Sequence, residues 1–321
     1  MATTLLEEVR AACAEVATAA RQVRIAEAAI PRYAAALDPQ RLVLPQMDPA
    51  CHYLGRGEAT LAFLVTLDAV NFGSGYFPAI FARPEQSGFL TVAAALTAHF
   101  ARHGPLSAAE LARLNSDDCA RIFGLSQGSP AACELLAEFA ASLNQLGTFL
   151  LNDYGGDFSR LVAAAGGSAE RLVGLLAALP SFADIACWRG RSVPFYKRAQ
   201  LAAADLHIAF GGCGWGCFVD ADALTICADN LVPHVLRWDG VLHYAEELAS
   251  RIDRGELLES GSEEEVEIRA AAVHAGELRV AELRRHGRPV NALQLDNLLW
   301  YRGQQLFYRA RPRHRTRTIF Y

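Results

Sequence analysis

The chain has no apolar run long enough to span a bilayer. Its opening stretch carries Glu7 and Glu8 where a secretory leader needs a basic flank and an apolar segment. A cytoplasmic protein without a membrane partner is expected. An excess of basic charge is missing as well: 30 Lys and Arg against 35 Asp and Glu leave a net charge of −5. A dedicated duplex binder draws most of its affinity from neutralising phosphates, so no stable nucleic-acid complex is expected, although a local basic pocket could still take a small anion. The eight cysteines show no paired spacing. Cys213 and Cys217, with Cys227 and His207 near in sequence, lack a second matching pair, so reduced core thiols are expected and no zinc site. The glycines of Gly211–Cys217 are not followed by Gly-Lys-Ser/Thr, which makes a turn the better reading than a phosphate cradle. Internal repeats and low-complexity linkers are absent too. Residues 1–321 are therefore read as one domain, or as two close-packed helical lobes with the site between them.

What is present is helical patterning. Leu6, Val9, Cys13, Val16 and Ala20 recur at three- and four-residue steps and predict a first helix over 5–20. Further helices are predicted over 32–37, 58–72, 90–103, 108–114, 131–151, 157–165, 169–179, 244–252, 263–285 and 292–304. Some starts are signalled chemically, by Ser107-x-x-Glu110 and Ser262-x-x-Glu265 as capping boxes and by Ser129-Pro130 as a cap followed by a first-turn proline. Residues 42–57 read as a loop carrying His52, and 179–194 as irregular. A small hairpin is expected between Phe218 and Ile226. The fold class is thus all-α, mainly helical, with at most a small β-hairpin. The basic tail with Arg309, Arg311, Arg313, His314, Arg315 and Arg317 is expected to be solvated.

Two stretches concentrate chemistry. Pro194-Phe195-Tyr196-Lys197-Arg198 opens an alanine-rich helix, where free backbone N–H groups, two cations and two aromatics suit an anionic, stackable ligand such as a nucleotide. Asp229-Asn230 follows the apolar run Leu224–Ala228 and precedes another helix-forming stretch. From these residues alone, snorkelling cations and a capping aspartate account for the pattern as well as a site does. Asp68 and Asn71, three apart, share a helical face, and Asp296 precedes Trp300 by one turn.

In order, Leu67-Asp68-Ala69-Val70-Asn71-Phe72, Phe195-Tyr196-Lys197-Arg198-Ala199-Gln200 with Asp205-Leu206, Leu224-Thr225 with Ala228-Asp229 and Val232-Pro233, Glu265–Ala270, and Asn291-Ala292 with Asp296 and Trp300 resemble the queuosine salvage protein family. The resemblance runs from the first helix to Tyr321. It implies hydrolysis of queuosine 5'-monophosphate to queuine and ribose 5-phosphate, and a fold similar to helical DNA glycosylases. Ala228-Asp229-Asn230 with Val232, His234 and Val235 resembles the catalytic-aspartate segment of helix-hairpin-helix glycosylases, and Lys197 takes the place of their lysine. Their DNA-gripping glycine hairpin is replaced here by Pro180-Ser181-Phe182-Ala183-Asp184, which weighs against a DNA or tRNA glycosylase. A binding protein without catalysis is the other alternative.

Breaking a ribosyl C–N bond builds positive charge on the sugar, so a carboxylate at the anomeric carbon is needed, and Asp229 is the catalytic candidate. A 7-deazaguanine base has no N7 to protonate. Lys197, Arg198 and Tyr196 are expected at the 5'-phosphate. Asn71, Asp68 and Asn230 are expected at the base edge. Phe72, Trp300 and Phe195 supply stacking surfaces, and His52 and Asp296 complete the candidates. Hydrolysis needs water and a positioned carboxylate, so no cofactor or metal is expected.

Overall fold

The computed structural model describes residues 3–37, 42–81 and 87–321, and these form two compact units built from interleaved chain segments. The first comprises residues up to 45, 185–197 and 222–317. The second comprises 46–184, 198–221 and 318–321.

The spine of the first unit is the Glu263–Arg285 helix. Ser262 starts it by accepting from the Glu265 N–H, while the Glu265 carboxylate reaches back to the Gly261 N–H rather than to Ser262. This helix is apolar on several sides because it is packed on several sides, by Leu5–Ala19, Ile30–Ala36, Leu231–Trp238 and Ala292–Gly303. Leu5–Ala19 buries Leu6, Val9, Cys13 and Val16, the stripe that its periodicity requires, behind a Thr4–Glu7 capping box. Gly276 admits Ile226 so closely that an added Cβ would lie 2.9 Å from its side chain. Glu267, fully buried, accepts from the N–H groups of Arg21 and Gln22 and pairs with Arg189, so its charge is held by three donors.

The unit carries two small antiparallel sheets, neither of them at Phe218–Ile226. Val23–Ile25 pairs with Leu242–Tyr244, and Ile185–Trp188 pairs with Arg191–Pro194. The expected hairpin is instead a 3-10 turn at Ala221–Ala223. The stretch read as irregular holds the second sheet, turned by Arg189 and Gly190 with φ of 48° and 78°. Two positive φ values suit the right-handed twist of a two-residue hairpin, and a left-handed arginine gives no sequence signal.

The second unit is layered around the Pro130–Tyr154 helix, against which Ala108–Leu111, Ser116–Phe123, Phe77–Ile80 and Phe158–Ala164 pack. Gly147 lies so near the Ala108–Leu111 turn that a Cβ there would meet the Ala108 carbonyl at 2.6 Å. Edge-on phenylalanines fill the core: Phe63 with Phe100 at 5.3 Å, Phe72 with Phe139 at 5.0 Å and Phe123 with Phe139 at 5.1 Å. The Glu58–Asp68 helix ends four residues earlier than expected. Ser116–Phe123 is a helix that periodicity alone did not mark, although Asn115 and Asp118 form a reciprocal cap at its start. Cys13 and Cys119 are core thiols as expected, but Cys133, Cys187, Cys213 and Cys217 are exposed.

Candidate functional site

Asp229 sits where the chain leaves the buried run Leu224–Ile226 and enters the Leu231–Trp238 helix. Its Oδ1 accepts from the backbone N–H groups of Leu231 at 2.8 Å and Val232 at 3.0 Å. The capping role thus falls to one oxygen and leaves the other available. Oδ1 fixes the carboxylate in one orientation, and Oδ2 makes no hydrogen bond among the described residues.

Asp296, on the Ala292–Gly303 helix, is the second carboxylate. Its Oδ1 accepts from the Cys227 N–H at 2.7 Å, which ties this helix to the residue two before Asp229. Burial, and then the negative charge of Asp229, raise its carboxyl from the ordinary 3.8 to about 7; the Cys227 N–H and the Lys197 charge act the other way. The Asp296 carboxyl therefore keeps its proton well above the ordinary carboxylate range.

Lys197 begins the Lys197–Ala209 helix and is buried. The turn that delivers it is strained: Tyr196, just before it, has φ of 50°, a left-handed conformation that costs a tyrosine energy and persists only where surrounding packing enforces it. That packing is visible. Phe195 is buried under the Arg269 guanidinium at 3.9 Å, and Tyr196 lies half-buried against the same core. Arg269 also donates to the Ala228 carbonyl at 2.8 Å and pairs with Glu265 at 3.5 Å. One buried cation thus links the residue before Asp229 to the residue two before Lys197. Sequence reasoning assigned no positioning role to Arg269; the signal was a Glu265–Arg269 pair, four apart, inside an apolar stretch.

Several expected ligand groups are occupied otherwise. Phe195 has its ring face covered by Arg269, which corrects its expected stacking role. Asn230 is buried and donates to the His314 carbonyl at 3.2 Å, so it tethers backbone instead of reading a base. Arg198 is the clearest correction. It is buried in the second unit, donates to the carbonyls of Asp68 and Ser181 and to the Ser142 hydroxyl, and lies between the rings of Phe72 at 4.7 Å and Phe182 at 4.8 Å. Its Nη1 and Nη2 are engaged by protein groups and only the buried Nε lacks a hydrogen-bond partner, which weighs against the expected phosphate role. Phe72, pressed between Arg198 and Phe139, is likewise core and offers no stacking face.

The remaining candidates of the second unit keep polar character. Asn71 Nδ2 donates to Asp68 Oδ1 at 3.2 Å, the pairing that their spacing implied. His52 stands edge-on to Phe63, its Nδ1 3.0 Å from the Asp48 carbonyl, and burial pushes its pKa down. Trp300, one turn beyond Asp296 in the first unit, is half-buried with Tyr301 edge-on at 5.3 Å. Within the first unit the fold thus gathers Asp229, Asp296 and Lys197. Within the second it gathers Asp68, Asn71, Phe72 and Arg198.

The expected solvated tail is also different. His314 and Thr316 are buried, and Arg313 is half-buried. Burial, chiefly, lowers the Arg313 pKa, while the charge of Asp229 acts on it in the opposite sense. Arg313 is a group near Asp229 that sequence reasoning missed.

Comparison with known proteins agrees with this arrangement of motifs. A relative from Sphaerobacter thermophilus, named queuosine 5'-phosphate N-glycosylase/hydrolase, is 39% identical over 307 residues, 94% of each chain. Relatives of the same name from Mus musculus and Bos taurus are each 31% identical, covering 93% and 83% of this chain and 91% and 83% of their own. Residues 51–321, which hold Asp229, Asp296, Lys197 and Arg269, match the family described as queuosine salvage protein, and the chain belongs to that family.

Proposed function

We propose that the chain hydrolyses the N-glycosidic bond of queuosine 5'-monophosphate, releasing queuine and ribose 5-phosphate. The observation that carries this reading is the carboxylate pair: Asp229 with one oxygen anchored by two N–H groups and the other unbonded, beside Asp296 holding a proton up to about pH 7. An anchored carboxylate stabilises charge that appears on the sugar only as the C–N bond stretches, and it does so without reorganising first. Asp229 Oδ2 faces the anomeric carbon and takes the proton from the attacking water. The departing base carries away the bonding electron pair and needs a proton in exchange. Because a 7-deazapurine offers no N7, that proton goes elsewhere on the base, and the Asp296 carboxyl supplies it or donates a hydrogen bond that stabilises the anion. A carboxyl whose affinity for a proton is raised, beside a second, anchored carboxylate, is the pattern expected of an acid paired with a base. Lys197 acts against the rise by favouring the ionised form of Asp296. Asp68, Asn71, His52, Trp300 and Tyr196 stay as candidates for substrate contact.

The test is an incubation with queuosine 5'-monophosphate, queuosine and queuosine-containing tRNA, followed by chromatography for free queuine. Release from the monophosphate is expected. Release only from tRNA would make the chain a polymer glycosylase, and release from none would make it a binding protein.

A further inference from the structure

Of the two cations that the sequence assigned to the substrate's phosphate, Arg198 is engaged by protein groups and Lys197 stands beside Asp296, and the first unit contains a third. The chain from Tyr308 onward is pinned within the first unit at several points, two of them on the Asp229-bearing segment. His234 Nε2 lies 2.9 Å from the Tyr308 carbonyl, Asn230 donates to the His314 carbonyl at 3.2 Å, and the Leu258 N–H donates to the Arg315 carbonyl at 2.8 Å. Leu257 and Arg315 also form a parallel bridge. His234 and His314 are buried, and burial pushes their pKa values down to about 4 and about 3, so the His234 ring that meets the Tyr308 carbonyl is neutral. The backbone on both sides of Arg313 is therefore fixed, and the residue following it is bonded to the residue following Asp229.

Arg313 itself makes no hydrogen bond and no ion pair with any described residue. It is close enough to Asp229 for the carboxylate to be felt, yet the two are not in salt-bridge contact. The charge of Arg309 adds to the positive potential at the same place. A half-buried guanidinium with its donors unspent is costly to keep unless something arrives to use them. Two buried arginines contrast with it: Arg198 sends its terminal nitrogens to carbonyls and a hydroxyl, and Arg269 sends its Nε to the Ala228 carbonyl.

We propose that Arg313 is the phosphate-recognising, specificity-determining residue, donating to the 5'-phosphate of the nucleotide whose anomeric carbon lies at Asp229. This rests on the proposed glycosidase activity and deepens it. The planar fork of a guanidinium matches two phosphate oxygens at once, and a dianion placed there gains charge-assisted bonds that the uncharged nucleoside cannot make. Arg313 is thereby the group that lets the enzyme select a nucleotide released from RNA turnover over the free nucleoside. The supplier of such a substrate is a nuclease that leaves the phosphate on the 5' carbon.

Two measurements test this. In steady-state kinetics, Arg313→Gln is expected to lower kcat/KM for queuosine 5'-monophosphate by roughly 10- to 100-fold, the loss that accompanies a charge-assisted bond, mostly through KM. Inhibition by ribose 5-phosphate should weaken by a similar factor, inhibition by ribose should not change, and Arg313→Lys should recover part of both losses. A fall in kcat with unchanged KM and unchanged ribose 5-phosphate inhibition would overturn the proposal. The second measurement uses the wild-type chain. Phenylglyoxal modification of Arg313, mapped by mass spectrometry, should be slowed by ribose 5-phosphate and not by ribose. If Arg313 reacts equally fast with and without ribose 5-phosphate, the phosphate is held elsewhere. This protection does not require turnover, so it separates failure of the Arg313 proposal from failure of the glycosidase reading.

Discussion

Replacing Asp296 by Asn should stabilise the protein at alkaline pH and leave its stability unchanged in acid. The carboxyl is raised from 3.8 to about 7 by burial and by Asp229, so folding becomes less favourable as pH climbs through that interval, because the folded chain holds a proton that the unfolded chain has released. Below about pH 4 both states hold the proton and the native carboxyl incurs no penalty; above about pH 7 the penalty is complete. At roughly 1.4 kcal/mol per pH unit the interval corresponds to an upper bound of about 4 kcal/mol, and the residual water access of Asp296 reduces it, so a gain of at least about 1 kcal/mol is expected for Asp296→Asn at pH 8. The amide keeps an oxygen for the Cys227 N–H, so that bond survives the exchange. Urea unfolding of both proteins between pH 4 and pH 8 measures the difference, in which the other titrating groups, His234 and His314 included, cancel. A stability difference that does not grow with pH would refute the argument. In the same proteins, wild-type kcat should decline as pH rises through about 7 while the residual activity of Asp296→Asn shows no such limb.

Asp229→Asn keeps an oxygen for the Leu231 and Val232 N–H groups but removes the charge, so kcat should fall at least about 10²-fold with KM much less affected, as stopped assays of queuine release would register. Lys197→Met removes a charge that helps Asp296 ionise, so the alkaline limb of the kcat profile should move to higher pH; an unmoved limb would separate Lys197 from the pair. Arg198→Met strips a buried cluster of carbonyls of its donor and should cost roughly 3–5 kcal/mol in denaturant unfolding, with the ribose 5-phosphate inhibition constant unchanged in the folded fraction. Gly147→Ala drives a methyl into the Ala108–Ala112 backbone and should lower the unfolding free energy by about 1–3 kcal/mol, seen as an earlier urea midpoint.

Helix starts with paired polar signals were legible because capping is local chemistry: Ser107 with Glu110 and Ser129 before Pro130 are read within four residues and are realised as such. Asn115 with Asp118 belonged to the same class and was overlooked. The Arg189-Gly190 turn was not legible, since nothing in an arginine announces a left-handed backbone. At the site, Asp229 stood out by its position between an apolar run and a helix. Lys197 and Arg198 could not be separated by type, though neighbours on a helix point in different directions and only one of them could serve a common ligand. Arg313 was hidden for a different reason. Its placement depends on Asn230 reaching His314 across 84 residues of sequence, and no local window contains that bond.

The interleaving of segments has a consequence for synthesis. The Leu5–Ala19 helix has its apolar stripe ready as soon as it leaves the ribosome, but its packing partner, Glu263–Arg285, is made much later, and Val23–Ile25 waits for Leu242–Tyr244 in the same way. Residues 46–184 need no such delay, since most of what their helices bury lies within that span. The apolar stripe of Leu5–Ala19 therefore lacks its packing partner until Glu263–Arg285 has been made, whereas residues 46–184 have most of theirs within reach earlier. The carboxylate pair, whose members at 229 and 296 are joined through Cys227, cannot assemble before that late stretch exists, so the active arrangement and the closing of the first unit are one event.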